Sequence, residues 1–354
     1  MTGLQAIRQW LDRVDPGVHR RIKGLRLVTA YALAAMLGRI PELMNGLPDG
    51  ASLSSLAAGF ALWASVSEAQ ATRFESSRDL LILCIDAAVG AIAFIALAPA
   101  LTAAGRTGPE LTLATGAFCV AYLKRFGVLG AGIGSQIFIG QLLAYGAGLN
   151  AQDLGLVGIA AAIASVAAMV PRILSGPAEH PVMVPPPTRS DSPAGLSPEL
   201  IAGLQAALAA LVIVALNDMV SLTESAWAVT ACTYVIANSP AETVTRVWRR
   251  ILGTAIGVPL ALACLPIAAD APLLVWAAAA LAMVIYAMAL PERYDIACGA
   301  YAYALIVTLA AGGEHSILLL AARAWETLIG GVLGLGAALL AGPVLARLYS
   351  SSGG

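Results

Sequence analysis

The chain has 354 residues, of which 59% are apolar and only 12% charged, with a mean hydropathy of +0.82. That leaves too little polar surface to clothe a soluble body of this length, so lipid must cover it. A formal net charge of −1, with no basic stripe carrying interleaved aromatics, excludes nucleic acid as a partner.

The N-terminal segment, residues 1–20, carries Arg8, Asp12, Arg13, Asp15 and Arg20 where a cleavable signal would have an apolar core. Leu4, Ile7, Trp10, Leu11 and Val14 recur at helical spacing. Two readings stay open: an amphipathic helix lying on the membrane surface, or a helix packing on another subunit.

A membrane span needs about 20 mostly apolar residues, and windows of that kind recur along the whole chain. They fall at 22–40, 52–71, 78–98, 109–123, 127–148 and 153–171, then at 199–216, 222–238, 246–266, 272–290, 295–311 and 317–345. The predicted fold class is therefore all-α, a polytopic helical bundle of about twelve transmembrane helices, with ten as the alternative count.

Placing Lys and Arg on the resulting loops tests this count, because positive charge is retained on the cytoplasmic side. With the N-terminus inside, only Arg39, Arg106 and Arg323 fall on the far side, and every other Lys and Arg is cytoplasmic. One missed helix would scramble that split. The expected topology thus has both termini in the cytoplasm.

Residues 172–198 read as a cytoplasmic linker, with Pro185, Pro186 and Pro187 in a row and Ser190, Ser192 and Ser197 around them. The segments it joins, 21–171 and 199–348, resemble each other. Lys124-Arg125-Phe126 before the fifth span answers Glu292-Arg293-Tyr294 before the eleventh, and Trp63 answers Trp227. Six spans return each segment to its starting side, so the two repeats are expected to be parallel, related by an axis along the membrane normal.

The most specific stretch runs from Trp227 to Gly257, with Thr230, Pro240, Thr243, Arg250, Gly253 and Thr254 inside it. Its Trp-headed helix, Pro/Thr turn and R-x-x-G-T-x-x-G helix start resemble the repeat unit of the fusaric acid resistance (FUSC-like) and aromatic acid exporter superfamily of bacterial inner-membrane proteins. The first half matches loosely, through Trp63, Thr72, Arg78 and Gly90. Larger members carry a sizeable cytoplasmic domain where this chain has its short linker.

What the resemblance implies is a secondary transporter exporting small organic anions, aromatic carboxylates foremost, driven by protons or the membrane potential. A passive anion channel, as in the related plant malate channels, and a non-transporting membrane scaffold are the alternatives. The resemblance also implies a periplasmic adaptor and an outer-membrane channel as partners, and a homo-oligomer is a further expectation. No nucleic acid, cofactor or metal is expected.

Gly253 and Gly257 share one helix face and would admit a neighbouring helix, as would Gly330 and Gly334. Arg250 reads as a positive-inside anchor or a substrate ligand. Ionisable groups deep in a span are sharper, because they are costly there. Asp86, mid-way through the third span, is a candidate proton carrier; the alternative is an Asp satisfied by backbone or by Ser/Thr on a neighbour. Counting along the repeats, Gly253 or Thr254 stands in its place in the second half.

Arg323 and Glu326 are one turn apart in the twelfth span and are expected either to pair or to bind substrate. In the plant channels arginines line the anion path, so the resemblance suggests Arg323 as a carboxylate ligand, which a planar guanidinium suits. Trp227 and Tyr303 are expected to border an aromatic ring. Glu68, Gln70, Gln136, Gln141 and Tyr301 are polar groups on apolar helices, candidates for lining a cavity.

Cys84, Cys119, Cys232, Cys264 and Cys298 each stand singly in apolar stretches and read as small core residues. His19, His180 and His315 are scattered, so a histidine metal centre is not expected. Phosphate-loop, nucleophile-elbow and H-E-x-x-H motifs are missing, and no enzymatic activity is expected.

Overall fold

A computed structural model describes Asp15 and residues 18–41, 50–69, 72–175, 197–222, 225–237, 239–290, 292–311 and 316–351. The predicted surface helix, the Pro-rich centre of the linker and Gln70 lie outside these. The described chain is all-α, without a strand.

In chain order the helices are α1 (His19–Leu37), α2 (Gly50–Ser67), α3 (Arg73–Leu101), α4 (Leu111–Tyr122), α5 (Gly127–Gly146) and α6 (Leu154–Leu174). They continue as α7 (Pro198–Val220), α8 (Ser225–Val235), α9 (Pro240–Asp270), α10 (Pro272–Ala289), α11 (Tyr294–Ala311) and α12 (Ile317–Ser351). Five helical stretches are long and apolar enough to cross a membrane: Arg73–Ala104, Gly108–Gly146, Ala151–Leu174, Pro198–Val220 and Ala241–Ile267. Leu53–Ser67, Leu273–Ala289, Tyr294–Ala310 and Ala324–Leu340 are shorter apolar helices.

The helix starts are written locally. The Thr72 hydroxyl accepts from the Glu75 backbone N–H at 3.2 Å, capping α3. Ser197-Pro198 opens α7 and Ser239-Pro240 opens α9 in one manner: serine accepts from an N–H of the first turn, and proline sits where no N–H is needed. Pro171 lies inside α6 and does not end it; the helix continues to Leu174.

In residues 19–174, α1 packs on α2, α6 covers both, and α3 packs on α5 and α6. In residues 198–351, α7 packs on α8, α12 covers both, and α9 packs on α11 and α12. Two seams join these sets, α4 against α7 and α10 against α1. At the second seam Gly24 is so close to Val284 that a Cβ would fall 2.9 Å from the Val284 Cα.

One buried cluster belongs to α1, α2, α3, α5 and α6, and includes Leu53, Phe60 and Leu83. The other two bridge the seams, one joining Leu113 and Phe138 to Ile213, the other joining Leu27 to Val258 and Tyr286. Outward faces are apolar as well. Leu81, Ile85, Val89 and Ile92 form an exposed stripe on α3, and Leu252, Ile256 and Leu260 form one on α9. Such stripes on long apolar helices suit hydrocarbon and not water.

Candidate functional site

The glycines of the second half set the position of its half-buried Arg250. Gly253 and Gly257 face α11 so closely that a Cβ on either would meet the Asp295 or Gly299 carbonyl oxygen at 2.2 Å. Arg250 is one turn before Gly253 on the same helix, and this approach brings it to the start of α11, where Nη1 donates to the Tyr294 hydroxyl at 3.3 Å. Its Nε is enclosed and has no hydrogen-bond partner among the described residues. A guanidinium has five N–H donors, and the one on Nε is unmatched there.

Aromatic side chains surround this group. Tyr301 stands two turns from Tyr294 on α11 and within electrostatic range of Arg250. Its ring meets Trp63 of α2 at 5.4 Å between centroids, Tyr286 of α10 at 5.9 Å and Trp227 of α8 at 6.4 Å. Tyr234, two turns from Trp227, shares a 2.6 Å hydrogen bond with Ser135 of α5 and meets Phe138 edge-on at 6.0 Å. The cage therefore takes side chains from both halves of the chain, and combines rings with one cation. A planar carboxylate on an aromatic body matches both.

Of the residues expected from sequence, Arg250 and Trp227 are both neighbours of Tyr301, Arg250 by charge and Trp227 by its ring. Tyr303 is elsewhere: its hydroxyl donates to Cys264 Sγ at 3.6 Å, and it lines an apolar groove of about 520 Å³ between α9, α10 and α11. Two residues along a helix is more than half a turn, so Tyr301 and Tyr303 point apart. Tyr301 and not Tyr303 borders Trp227.

Glu326 is fully buried on α12, one turn before Gly330, where a Cβ would meet the Ala228 carbonyl oxygen of α8 at 2.2 Å. Arg323 lies on α12 too, but its side chain is outside the described residues, and with it the expected pair with Glu326. Asp86 is half-buried on α3, one turn before Gly90, and its Oδ2 is enclosed without a hydrogen-bond partner among the described residues. Gly90 there meets Ile137 of α5 much as Gly257 meets Gly299 of α11.

Each buried glutamine is tied through its amide nitrogen, while its Oε1 is enclosed without a hydrogen-bond partner among the described residues. Gln136 donates to Ser67 Oγ at 3.1 Å and Gln141 to Thr115 Oγ1 at 3.0 Å. All five cysteines are free thiols. No group of His, Cys, Asp and Glu suited to a metal occurs among the described residues.

Sequence reasoning named Tyr301 as a candidate for lining a cavity but missed Tyr234, Tyr286 and Tyr294, although a signal existed for two of them. Trp227 and Tyr234, like Tyr294 and Tyr301, are seven apart and so share a face over two turns. It also missed Glu110, which sits in the short turn before α4 and accepts hydrogen bonds from Tyr145, Asn217 and Ser225. Nothing local to Glu110 announces partners 35, 107 and 115 residues away.

No curated protein and no solved structure matches the chain. The long apolar helices with their exposed apolar stripes make this a membrane protein. Residues 207–337, the segment that holds Trp227, Arg250, Tyr294, Tyr301 and Glu326, match the family described as fusaric acid resistance protein-like.

Proposed function

We propose that the protein is a secondary transporter of the bacterial inner membrane that exports small organic acids, aromatic carboxylates foremost, through a site at the Arg250 cage. The observation that carries this reading is the enclosed Arg250 Nε, left without a partner among rings of Trp227, Tyr294 and Tyr301. A carboxylate bound there gains a charge-assisted hydrogen bond, and the ring attached to it stacks on the cage wall. Arg323 and Glu326, on the helix that packs against α8 and α9, are the further candidates for contact with the same anion.

Two parallel six-helix repeats, 21–171 and 199–348, fit the way α1 to α6 and α7 to α12 repeat one set of neighbours. With both termini cytoplasmic, an anion leaving a negative interior moves downhill by about 2.3 kcal/mol per 100 mV. Asp86 would couple a proton to that movement. A periplasmic adaptor and outer-membrane duct would extend the path outward.

Efflux of labelled benzoate and hydroxycinnamate from proteoliposomes under an imposed potential tests the reading. The wild type should release both, and Arg250→Gln should lose about tenfold or more in apparent affinity. Equal efflux by Arg250→Gln would remove the cage from the path. Single-channel currents in a planar bilayer would replace the carrier with a passive channel.

A further inference from the structure

The groove that Tyr303 lines lies apart from the Arg250 cage. Helices α9 and α10 each pack on α11 but touch one another only slightly, so a strip of α11 is left open between them. The walls are Leu252, Ile256 and Leu260 of α9 with Leu281 and Ile285 of α10, each at least 40% exposed. Between them the α11 floor is low, because Gly299 and Ala300 form it. Among the described residues Asp295 and Tyr303 are the polar ones lining the groove.

Its length and its charged end point to an occupant. The exposed apolar walls face hydrocarbon, so the groove opens into the bilayer. From Leu252 to Leu260 it runs about 12 Å along α9, close to the about 15 Å of one leaflet of the hydrocarbon core. Arg249 is one turn before Leu252 and Gly253, and its Nη1 donates to the carbonyl oxygen of Glu292, three residues before Asp295, at 3.3 Å. Arg249 therefore stands at the end of the groove where α9 and α11 begin. The acids nearby hold other arginines: Glu242 pairs with Arg246, Glu292 with Arg20 and Asp295 with Arg293. Exposed Arg249 meets a carbonyl oxygen and no carboxylate among the described residues, so this end carries one positive charge in excess. Trp248 beside it is 61% exposed, a residue type suited to the membrane interface. The distribution of Lys and Arg expects this side to be cytoplasmic, the leaflet that holds anionic lipid.

We propose that the groove binds one anionic phospholipid, with an acyl chain between α9 and α10 and the headgroup phosphate at Arg249. The apolar walls supply affinity for any chain, and the unpaired guanidinium supplies the choice of headgroup, since arginine suits a phosphate and a zwitterionic lipid brings its own cation. One arginine near the surface favours an anionic over a zwitterionic lipid by about fivefold. This site does not depend on the proposed transport, because the groove and the cage use Tyr303 and Tyr301, which point apart on α11.

Native mass spectrometry of the full-length protein, delipidated in a neutral detergent, tests the site, because it counts bound lipid and reads the oligomeric state together. The first phosphatidylglycerol should be retained at a concentration about fivefold below that needed for phosphatidylcholine. Arg249→Gln should make the two lipids equal, and Arg249→Lys should keep the preference. Ala278→Leu, which fills the groove from α10, should weaken retention of both lipids severalfold, and Ala300→Leu does so from α11 if the first variant does not fold. Arg250→Gln should leave lipid retention unchanged, whatever it does to efflux. Equal retention of the two lipids by the wild type, a preference that survives Arg249→Gln, or retention unaltered by filling the groove overturns the proposal. A dimer that Ala278→Leu dissociates overturns it as well, and gives the groove to a second copy of the chain.

Discussion

Asn217, near the end of α7, donates from Nδ2 to Glu110 Oε1 at 2.7 Å, across the seam where α4 meets α7. Tyr145 shares that oxygen at 2.6 Å, and Ser225, at the start of α8, donates to Oε2 at 3.0 Å. Arg106 closes the ring by donating to the Asn217 carbonyl oxygen at 2.9 Å. One buried carboxylate thus holds α5, α7 and α8 together.

Removing Glu110 should cost more than removing any one donor. Glu110→Ala removes the acceptor of three donors, two of them buried, about 2–3 kcal/mol, whereas Asn217→Ala gives up one of the three bonds, about 1 kcal/mol. Thermal unfolding in detergent should rank the two variants in that order. Equal midpoints would mean that the three bonds are not a unit.

The close helix pairs make a second prediction. A Cβ on Gly90 would meet the Ile137 carbonyl oxygen at 2.1 Å, and one on Gly257 the Gly299 carbonyl oxygen at 2.2 Å. Backbone cannot step aside as a side chain does, so Gly90→Ala and Gly257→Ala should each lower stability by about 3 kcal/mol or more. Gly158→Ala, on α6 with open space at its Cβ, should be neutral or gain up to about 1 kcal/mol from helix propensity. Yield and unfolding midpoint of the folded fraction distinguish them.

Proton coupling by Asp86 predicts a specific loss. Asp86→Asn keeps the size of the side chain and removes its ability to change charge, so efflux should become insensitive to an imposed pH gradient while benzoate affinity stays within about twofold. Efflux that still follows the gradient in this variant would take Asp86 out of the mechanism.

A pH effect is expected at the α10 to α11 connection, where Glu292 pairs with Arg20 at the start of α1. The Arg20 hydrogen bond and charge hold the Glu292 carboxyl below its ordinary 4.5. Burial pushes Asp15 up, but hydrogen bonds from the Arg21 and Arg20 backbone N–H groups and from the Arg21 side chain bring it below its ordinary 3.8. Groups lowered on folding stabilise the folded state above their unfolded values and lose that contribution as pH falls through the folded ones. Amide exchange at the start of α1 should therefore be steady from neutral pH down to about 5 and loosen at lower pH, after correction for the intrinsic rate. Arg20→Gln should loosen it already at neutral pH, modestly, since the pair is exposed.

The amino-acid sequence by itself determined the all-α membrane character, because long apolar runs have no other way to satisfy their backbone in lipid. It determined three helix starts too, at Ser197-Pro198, Ser239-Pro240 and Thr72, whose capping is local. The close packing of Gly253 and Gly257, and of Gly330 and Gly334, was legible because glycines four apart leave a flat strip on any helix. Partners distant in the chain were decided only by the tertiary structure. Spacing placed Tyr301 and Tyr303 equally well, yet the rotation of α11 against α9 sends Tyr301 to Trp63 and Trp227 and Tyr303 to Cys264. The same holds for Glu110 with Asn217. Each is an ordinary polar residue in sequence, and becomes a site only when helices far apart along the chain enclose it and remove the water that would otherwise satisfy it.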